Sequence, residues 1–342
     1  MIIGMTYDLK TEYVFKSGDP PDANAEFDHP LTVQVIEDCF SSLGHQVVRI
    51  GSVDQLLAKL DDIHVDIVFN IAEGHSGRNR ESQVPILLEM KGIPYVGADG
   101  LTQALTLDKV MAKRVFLGEG IPTPRFFEIT HPESPLPQAV SFPAIVKPRC
   151  EGSSKGLSEK SVVHSASELR ERASWLIATY KQPALVEEFI QGTEFTVAVI
   201  GNDPPQALPV VQIQIDGQLD LGDLFYTFSR IASGAGYVCP AQISSRVEER
   251  LKNLALQVYR AVDCLDFGRV DIRVDKAGNP YVLEINPLPS LSTEDVFFLL
   301  AKHLGVPYHQ MLGRILDAAV ERWGLKSERD GAPQLKVANQ KR

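Results

Sequence analysis

Two short apolar runs near the C-terminal end, residues 268–274 and 280–285, limit the fold more than any other stretch of this sequence. Between them lies Asp275-Lys276-Ala277-Gly278-Asn279, a segment rich in turn formers, so the runs predict an antiparallel β-hairpin. Three oxygen-bearing side chains interrupt the apolar pattern: Asp271 on the first strand, Glu284 and Asn286 on the second. Because a strand has a period of two, Glu284 and Asn286 share a face, and pairing brings Asp271 to them. Glu284 follows Tyr281-Val282-Leu283, where an unpaired carboxylate would be costly. The bland reading is a surface hairpin with solvated acids. The sharper one is a Mg²⁺ site, since that ion takes a few carboxylates together with substrate phosphates. Two carboxylates and one amide suit a pair of Mg²⁺ ions on ATP.

A hairpin at this end contrasts with the beginning of the chain, where strand and helix patterns alternate. Residues 2–7, 46–50 and 66–71 read as strands, and 30–43 and 55–60 as helices, which predicts parallel α/β layers. Ligands bind beyond the carboxyl ends of such strands, which is where residues 70–81 lie. A helix over 81–90, a strand over 93–97 and a helix over 101–117 follow, then the stiff connector Ile121-Pro122-Thr123-Pro124. A second unit has strands at 144–146 and 184–188 around a helix at 167–178. A third has strands at 195–200 and 209–215, a helix at 247–262, the hairpin, and closing helices at 299–304 and 308–323. A chain of 342 residues predicts two or three domains. The units are expected at 1–108, 109–194 and 195–326, with a polar, disordered tail at 327–342. The fold class is α/β and α+β.

Two further segments carry chemistry. Lys147-Pro148-Arg149-Cys150-Glu151-Gly152-Ser153-Ser154-Lys155-Gly156 follows a strand and is rich in Gly and Ser. Such a loop can fold over phosphates with backbone N–H groups, hydroxyls and ammonium donors, although it is not a GxxxxGK[ST] loop. Leu185-Val186-Glu187-Glu188-Phe189-Ile190, followed by Gly192-Thr193-Glu194, is an apolar strand ending in acids, which fits a nucleoside slot. The formal charge of −10 argues against nucleic-acid or anionic-membrane partners. No apolar run approaches about 18 residues and no leader is visible, so a cytoplasmic protein is expected. Cys39, Cys150, Cys239 and Cys264 are scattered without metal-binding spacing.

In this order the segments resemble the D-alanine–D-alanine ligase branch of the ATP-grasp superfamily. The resemblance runs from about Asn70 to about Leu312, and its best stretches are EGSSKG (151–156), EEFIQGTEFTVAVIG (187–201), YVCPA (237–241) and GRVDIRVDKAGNPYVLEINPLPSLS (268–292). It implies an ATP-grasp fold, with an N-terminal parallel α/β domain, a small central domain and a C-terminal α+β domain. It implies ATP and two Mg²⁺ ions (or Mn²⁺), and small-molecule carboxylate and amine substrates joined through an acyl phosphate, with ADP and phosphate released. Lys109 and Lys147 would contact the ATP phosphates, with Glu151, Ser154 and the lid residue Arg230 also on the nucleotide side. Glu187, Glu188, Phe189 and Ile190 would frame adenine, and Glu194 would hold the ribose. Asp271, Glu284 and Asn286 would bind the metal. Arg269 would stabilise charge on the reacting centre, aided by a backbone N–H near Ser290, with Ser153 close to the substrates. A homodimer is the family's usual assembly.

Departures from the pattern fall on the amino-acid pockets. After the first strand stands Gly4-Met5-Thr6-Tyr7-Asp8-Leu9-Lys10, with a Pro/Asp-rich insertion at 17–28. Glu73-Gly74 replaces a His-Gly pair, and Gly77-Arg78-Asn79-Arg80-Glu81 replaces Gly-Glu-Asp-Gly. The lid, 221–236, lacks a Lys-Tyr pair, and Asp295 stands where a small residue is usual. Asp295 has a second reading as the cap of a helix over 296–304. Glu73, Arg78, Arg80 and Asp295 are therefore candidate substrate residues. The expectation is a carboxylate–amine ligase with altered substrates. The alternatives are a D-alanine–D-alanine ligase proper and a nucleotide-binding regulatory protein without turnover. The intact set Arg269, Asp271, Glu284 and Asn286 counts against the last.

Overall fold

The structure, a computed structural model, describes residues 1–227 and 235–325. The first unit comprises β1 (Ile2–Tyr7), α1 (Pro30–Ser42), β2 (Gln46–Gly51), α2 (Val53–Lys59), β3 (Ile67–Ile71), α3 (Gln83–Lys91), β4 (Tyr95–Val96) and α4 (Gly100–Leu107). Its strands form a parallel sheet in the order β2-β1-β3-β4. β3 is buried along its whole length, as befits a parallel strand covered on both faces. A capping box between Ser52 and Gln55 starts α2 at Val53, earlier than the apolar pattern alone suggests.

The single helix expected over 101–117 is two helices, α4 and α5 (Lys109–Gly118). The break has an electrostatic cause. Asp108 leaves helical geometry (φ −83°, ψ 90°) and its carboxylate accepts from the Met111 N–H, capping α5. Arg149 grips the same carboxylate through two bonds of 2.7 and 2.8 Å.

The second unit holds β5 (Phe126–Ile129), β6 (Ala144–Pro148), β7 (Val162–Val163), α6 (Ala166–Tyr180) and β8 (Ala184–Glu188). The strands form an antiparallel sheet, β5-β8-β6-β7. α6 covers it through Leu169, Ala173 and Leu176, packed with Val146 and Val186.

The third unit is built from β9 (Gly192–Ile200), β10 (Gln206–Ala207), β11 (Val211–Ile215), β12 (Ala235–Val238), α7 (Ser245–Ala261), β13 (Phe267–Asp275), β14 (Pro280–Asn286), α8 (Val296–His303) and α9 (Tyr308–Arg322). Its antiparallel sheet runs β12-β11-β9-β13-β14, with β10 also on β9. β9 and β13 pair from Gly192–Asp275 to Ile200–Phe267, so the boundary expected at 194/195 falls inside a strand. Gly192 permits this start: it has φ 153°, and a Cβ there would lie 2.0 Å from the Val274 carbonyl oxygen.

Alternation divides the third sheet into two faces. Val197, Val199, Val270, Ile272, Val282 and Ile285 pack with Leu251, Ala255 and Val258 of α7. On the other face Ala198, Ile200 and Phe267 join Phe69 of the first sheet and Phe297 and Met311 of α8 and α9 in one core. Further along that face come Glu194, Thr196, Arg269 and Asp271, which line a cavity instead. A bulge adjusts the hairpin: Asp271 pairs with Glu284, but Ile272 pairs with Val282. One extra residue on β14 lets both Val282 and Ile285 enter the core while Glu284 faces Asp271.

The insertion at 17–28 contains neither helix nor strand. It crosses from the first unit to the second, where Asp22 accepts from the Gly156 N–H and Glu26 pairs with Lys155. Among the described residues no helix is long and apolar enough to cross a membrane. All four cysteines are free. Arg230 and the tail at 327–342 lie outside the described residues.

Candidate active site

The three units meet around a cavity of about 650 Å³. The hairpin face supplies Arg269, Asp271, Glu284 and Asn286, and the loops supply Ser153, Ser154, Ser290 and Asp295. The first unit adds Glu73 and Asp28. A narrower slot of about 110 Å³ adjoins it, walled by Lys147, Glu187, Glu188, Phe189, Ile190 and Arg273. Lys109, Glu151, Ser154, Glu194 and Glu284 line both spaces, so they stand at the passage between them.

Register explains the hairpin geometry. Asp271 and Glu284 are direct cross-strand partners, and so are Arg269 and Asn286. Two carboxylates face to face would repel, and neighbouring groups offset this. Arg269 binds both oxygens of Asp271, at 3.1 and 2.9 Å. Thr196 Oγ1 donates to Asp271 at 2.7 Å and Asn286 Nδ2 donates at 3.0 Å. Lys109, in the first turn of α5, places Nζ 3.0 Å from Glu284 and donates to the Glu151 carbonyl at 2.6 Å. Burial opposes ionisation of Glu284, but the charges of Lys109 and Lys147 outweigh it and hold the carboxyl below its ordinary range.

The slot contains a buried ion triad. Glu187 receives Lys113 Nζ at 2.6 Å on one oxygen and Lys147 Nζ at 2.6 Å on the other. Burial again works against the carboxylate, and the two ammonium groups lower its pKa in spite of it. Lys113 is fully buried, and desolvation pushes it down to about 8. Beside the triad the Arg273 guanidinium lies 4.7 Å from the centre of the Phe189 ring and 3.5 Å from Glu194. Burial raises the Glu194 pKa even so. Glu188 turns outward to Arg125 at 3.0 Å.

Acids at the other end of the large cavity lack such partners. Burial, then Glu81 and Glu26, push Glu73 well above its ordinary value. Asp28 is pushed up to about 7, by burial and then by Asp295 and Asp8, against the pull of Lys10. Asp295 occupies the N-cap position of α8 but makes no capping bond; it accepts from Ser292 Oγ at 2.7 Å, with Tyr237 Oη at 3.5 Å.

Family comparisons bear on this arrangement. Residues 116–317 match the model of the family described as D-ala D-ala ligase C-terminus. The D-alanine–D-alanine ligase of Xanthomonas axonopodis pv. citri is 33% identical over 286 residues, 82% of this chain and 86% of that protein. The chain belongs to the D-alanine–D-alanine ligase family. A second relative is an uncharacterized protein of Sinorhizobium fredii, 38% identical over 258 residues, 75% of each chain. The D-alanine–D-alanine ligase of Bacillus anthracis solved with ATP superposes with a TM-score of 0.73 at 22% identity, over 95% of this chain and 99% of that one. The fold is the ATP-grasp fold expected from the motifs.

Within this family member the structure gathers most of the residues singled out in the sequence and separates two. Arg269, Asp271, Glu284, Asn286, Ser153, Ser290, Glu73 and Asp295 line the large cavity, and Lys147 and the run from Glu187 to Ile190 line the slot. Arg78 and Arg80 line neither. Arg78 is exposed and reaches Asp108 at 2.7 Å. Arg80 is buried, donating to Glu26 at 2.7 Å and to the Cys150 carbonyl at 2.8 Å. Cys150 is itself buried, and burial raises its thiol to about 11, which suits packing and not nucleophilic attack. The reading missed Lys113 and Arg273. Both were accessible by spacing: Lys113 is four residues past Lys109 on a helix, and Arg273 follows Arg269 and Asp271 at strand period.

The ion triad makes a stability prediction. Glu187→Gln leaves two ammonium groups facing an amide. Breaking a buried pair costs about 3–5 kcal/mol, and because Lys113 already sheds its proton readily, we expect about 3, at the low end of that range. Urea unfolding at pH 7 reads the loss. The folded Glu187 pKa is depressed, so its contribution is present above the unfolded pKa of about 4.3 and disappears as pH falls through the folded value. The gap between wild type and variant should therefore narrow as pH falls below about 4.3; a gap independent of pH would refute the ionic account.

Proposed function

We propose that the chain is an ATP-dependent carboxylate–amine ligase that activates a carboxylate as an acyl phosphate and transfers the acyl group to an amine, with substrate pockets changed from those of D-alanine–D-alanine ligases. One observation carries the reading: Arg269, Asp271, Glu284 and Asn286 converge on one face of the hairpin in the large cavity, with Glu284 at the passage to the slot.

The donor set fits Mg²⁺, and Mn²⁺ equally: two carboxylates on facing strands that are register partners, and the Asn286 amide, which is hydrogen-bonded to Asp271. Bound there, the metal supplies charge neutralisation at the phosphates. In this reading the slot takes adenine against Phe189 and Ile190, with Glu187 and Glu188 framing it, and Glu194 accepts from the ribose hydroxyls. Lys109 and Lys147 hold phosphate oxygens, with Glu151, Ser154 and, from the lid, Arg230 near them. A substrate carboxylate oxygen attacks the γ-phosphorus as the bond to ADP breaks. The amine nitrogen then attacks the acyl carbon, loses its proton, and phosphate leaves. Arg269 stabilises the negative charge of both stages, with Ser153 and the N–H near Ser290 beside the reacting carbon. The cavity lies between three units, and closing it would keep water from the acyl phosphate.

Substrate choice follows from the far end of the cavity, where Glu73, Asp28 and Asp295 present carboxylates. An acceptor carboxylate placed about 4 Å from Asp295 would cost about 4 kcal/mol at an effective dielectric of 20. The enzyme therefore prefers an amine that is neutral or cationic at this end over D-alanine. We extend the reading to a cytoplasmic homodimer. Four free thiols suit a reducing compartment. Ile86 and Met90 on α3 and Leu101 on the adjoining α4 are exposed apolar side chains that a second copy would cover.

Four experiments test these statements. Sedimentation velocity should give a dimer that Met90→Glu with Leu101→Glu converts to monomer; a monomeric wild type removes that part. Glu284→Gln keeps volume but loses charge, so ADP release with a panel of carboxylates and amines should fall by at least about a hundredfold while the thermal transition stays cooperative. In the wild type, oxygen-18 in the carboxylate should appear in the released phosphate. An AMP product, or unlabelled phosphate, would overturn the acyl-phosphate route. Asp295→Ser should raise kcat/KM for small α-amino acid acceptors by roughly two to three orders of magnitude; D-alanyl-D-alanine synthesis by the unmutated chain at the rate of its best other pair would refute the charge argument.

A further inference from the structure

The insertion between β1 and α1 lies outside the family resemblance, yet it makes some of the most buried polar contacts in the molecule. Its neck is tied: the Lys10 N–H donates to the Asp28 carbonyl and the Asp28 N–H donates to the Asp8 carbonyl, both at 2.9 Å. The Tyr13 ring at its neck meets Phe15 and Phe27 edge-on, with ring centres 5.0 and 5.5 Å away. From this closed loop two carboxylates reach the glycine-rich loop at 151–156.

Glu26 binds one flank of that loop. It accepts from the Gly152 N–H, from Lys155 Nζ at 3.2 Å, and from Arg80 Nη2 at 2.7 Å. Only 9% or less of Glu26, Lys155 and Arg80 is exposed. Asp22 binds the other flank, accepting from the Gly156 N–H at 2.8 Å and from Tyr180 Oη at 2.8 and 2.9 Å. Gly152 is shaped by the contact, because a Cβ there would stand 2.9 Å from Glu26 Oε1. Between the flanks, Ser153 and Ser154 take left-handed φ values of 45° and 55° and line the cavity. Their hydroxyls and N–H groups have no partner among the described residues.

We propose that Glu26 and Asp22 are positioning residues, a strap that fixes the flanks of the glycine-rich loop before nucleotide arrives and leaves Ser153 and Ser154 free to meet phosphate. The inference rests on the ligase reading for the identity of the phosphate ligand, but not for the strap itself. A competing role, in which Glu26 merely blocks the phosphate site and is displaced, fits less well. Displacement would break the buried ion pairs that Glu26 makes with Arg80 and Lys155. A loop ordered in advance binds its ligand without meeting the ordering cost at that moment.

Amide hydrogen exchange on the full unliganded chain, for wild type, Glu26→Gln and Asp22→Asn, tests the strap independently of catalysis. Peptides covering 150–157 should exchange at least about tenfold faster in both variants, while peptides from β13 stay protected. Mg·ATP affinity by calorimetry should weaken by about tenfold, and the KM for ATP should rise likewise with kcat at saturation little changed. Unchanged exchange at 150–157 overturns the strap. Unchanged ATP affinity overturns its positioning role, and tighter binding assigns the insertion to blocking. If Glu26→Gln loses protection everywhere, Asp22→Asn, which gives up no ion pair, decides. If the wild type binds no ATP, the ligase reading fails while the exchange result still decides the strap.

Discussion

The structure turns on β13, the strand that pairs with β9 on one side and β14 on the other. Its antiparallel ladders force Asp271 and Glu284 to face each other. That juxtaposition is tolerable only with cations at hand, and much of the surrounding architecture brings them. Arg269 comes from the same strand, two residues away and therefore on the same face. Lys109 comes from the first turn of α5, so α5 must begin at that point. Asp108 ensures this by interrupting the helix, and Arg149 holds Asp108 in turn. The Lys109 N–H also donates to the Arg149 carbonyl at 3.1 Å, so the helix start and the glycine-rich loop are stitched together. A helix break, a loop and a hairpin that look unrelated in the sequence thus answer one electrostatic requirement.

How legible this was in the sequence follows from the range of each interaction. The hairpin was readable because a turn and a period of two are local signals, and Asp275 does bind the Ala277 and Asn279 N–H groups as a turn residue should. The bulge was not, since it shows only when Val282 and Ile285 are found on the same side. The break at Asp108 was hidden because apolar residues continue through it at helical spacing, and the residue that enforces it, Arg149, is 41 positions away. Arg80 was placed among substrate residues because its segment, 77–81, departs from the family pattern at the amino-acid pockets. Its partner Glu26 belongs to an insertion without periodicity, and nothing local tells a buried ion pair from a binding group. The second reading of Asp295, as a helix cap, was half right: the residue holds the cap position while its carboxylate turns to Ser292.

The acids around the cavity fall into two groups, set by their partners. In six of them desolvation works against the charge, and the difference lies in the partner. Glu284, Glu187 and Glu26 each have two cations nearby and are held below their ordinary range. Glu73, Glu81 and Asp28 are raised, with their own neighbours including further acids. A carboxylate that carries its own cations is part of the scaffold, and changing it breaks the scaffold whatever the substrate. A carboxyl raised by burial and by neighbouring acids is stabilised in its charged form by any ligand that brings a cation. Glu284 and Glu187, at the proposed nucleotide end, are of the first kind, while Glu194 beside them is raised by burial. In the proposed reading the amine end is built from the second, so its specificity can be altered one side chain at a time without disturbing the sheet beneath.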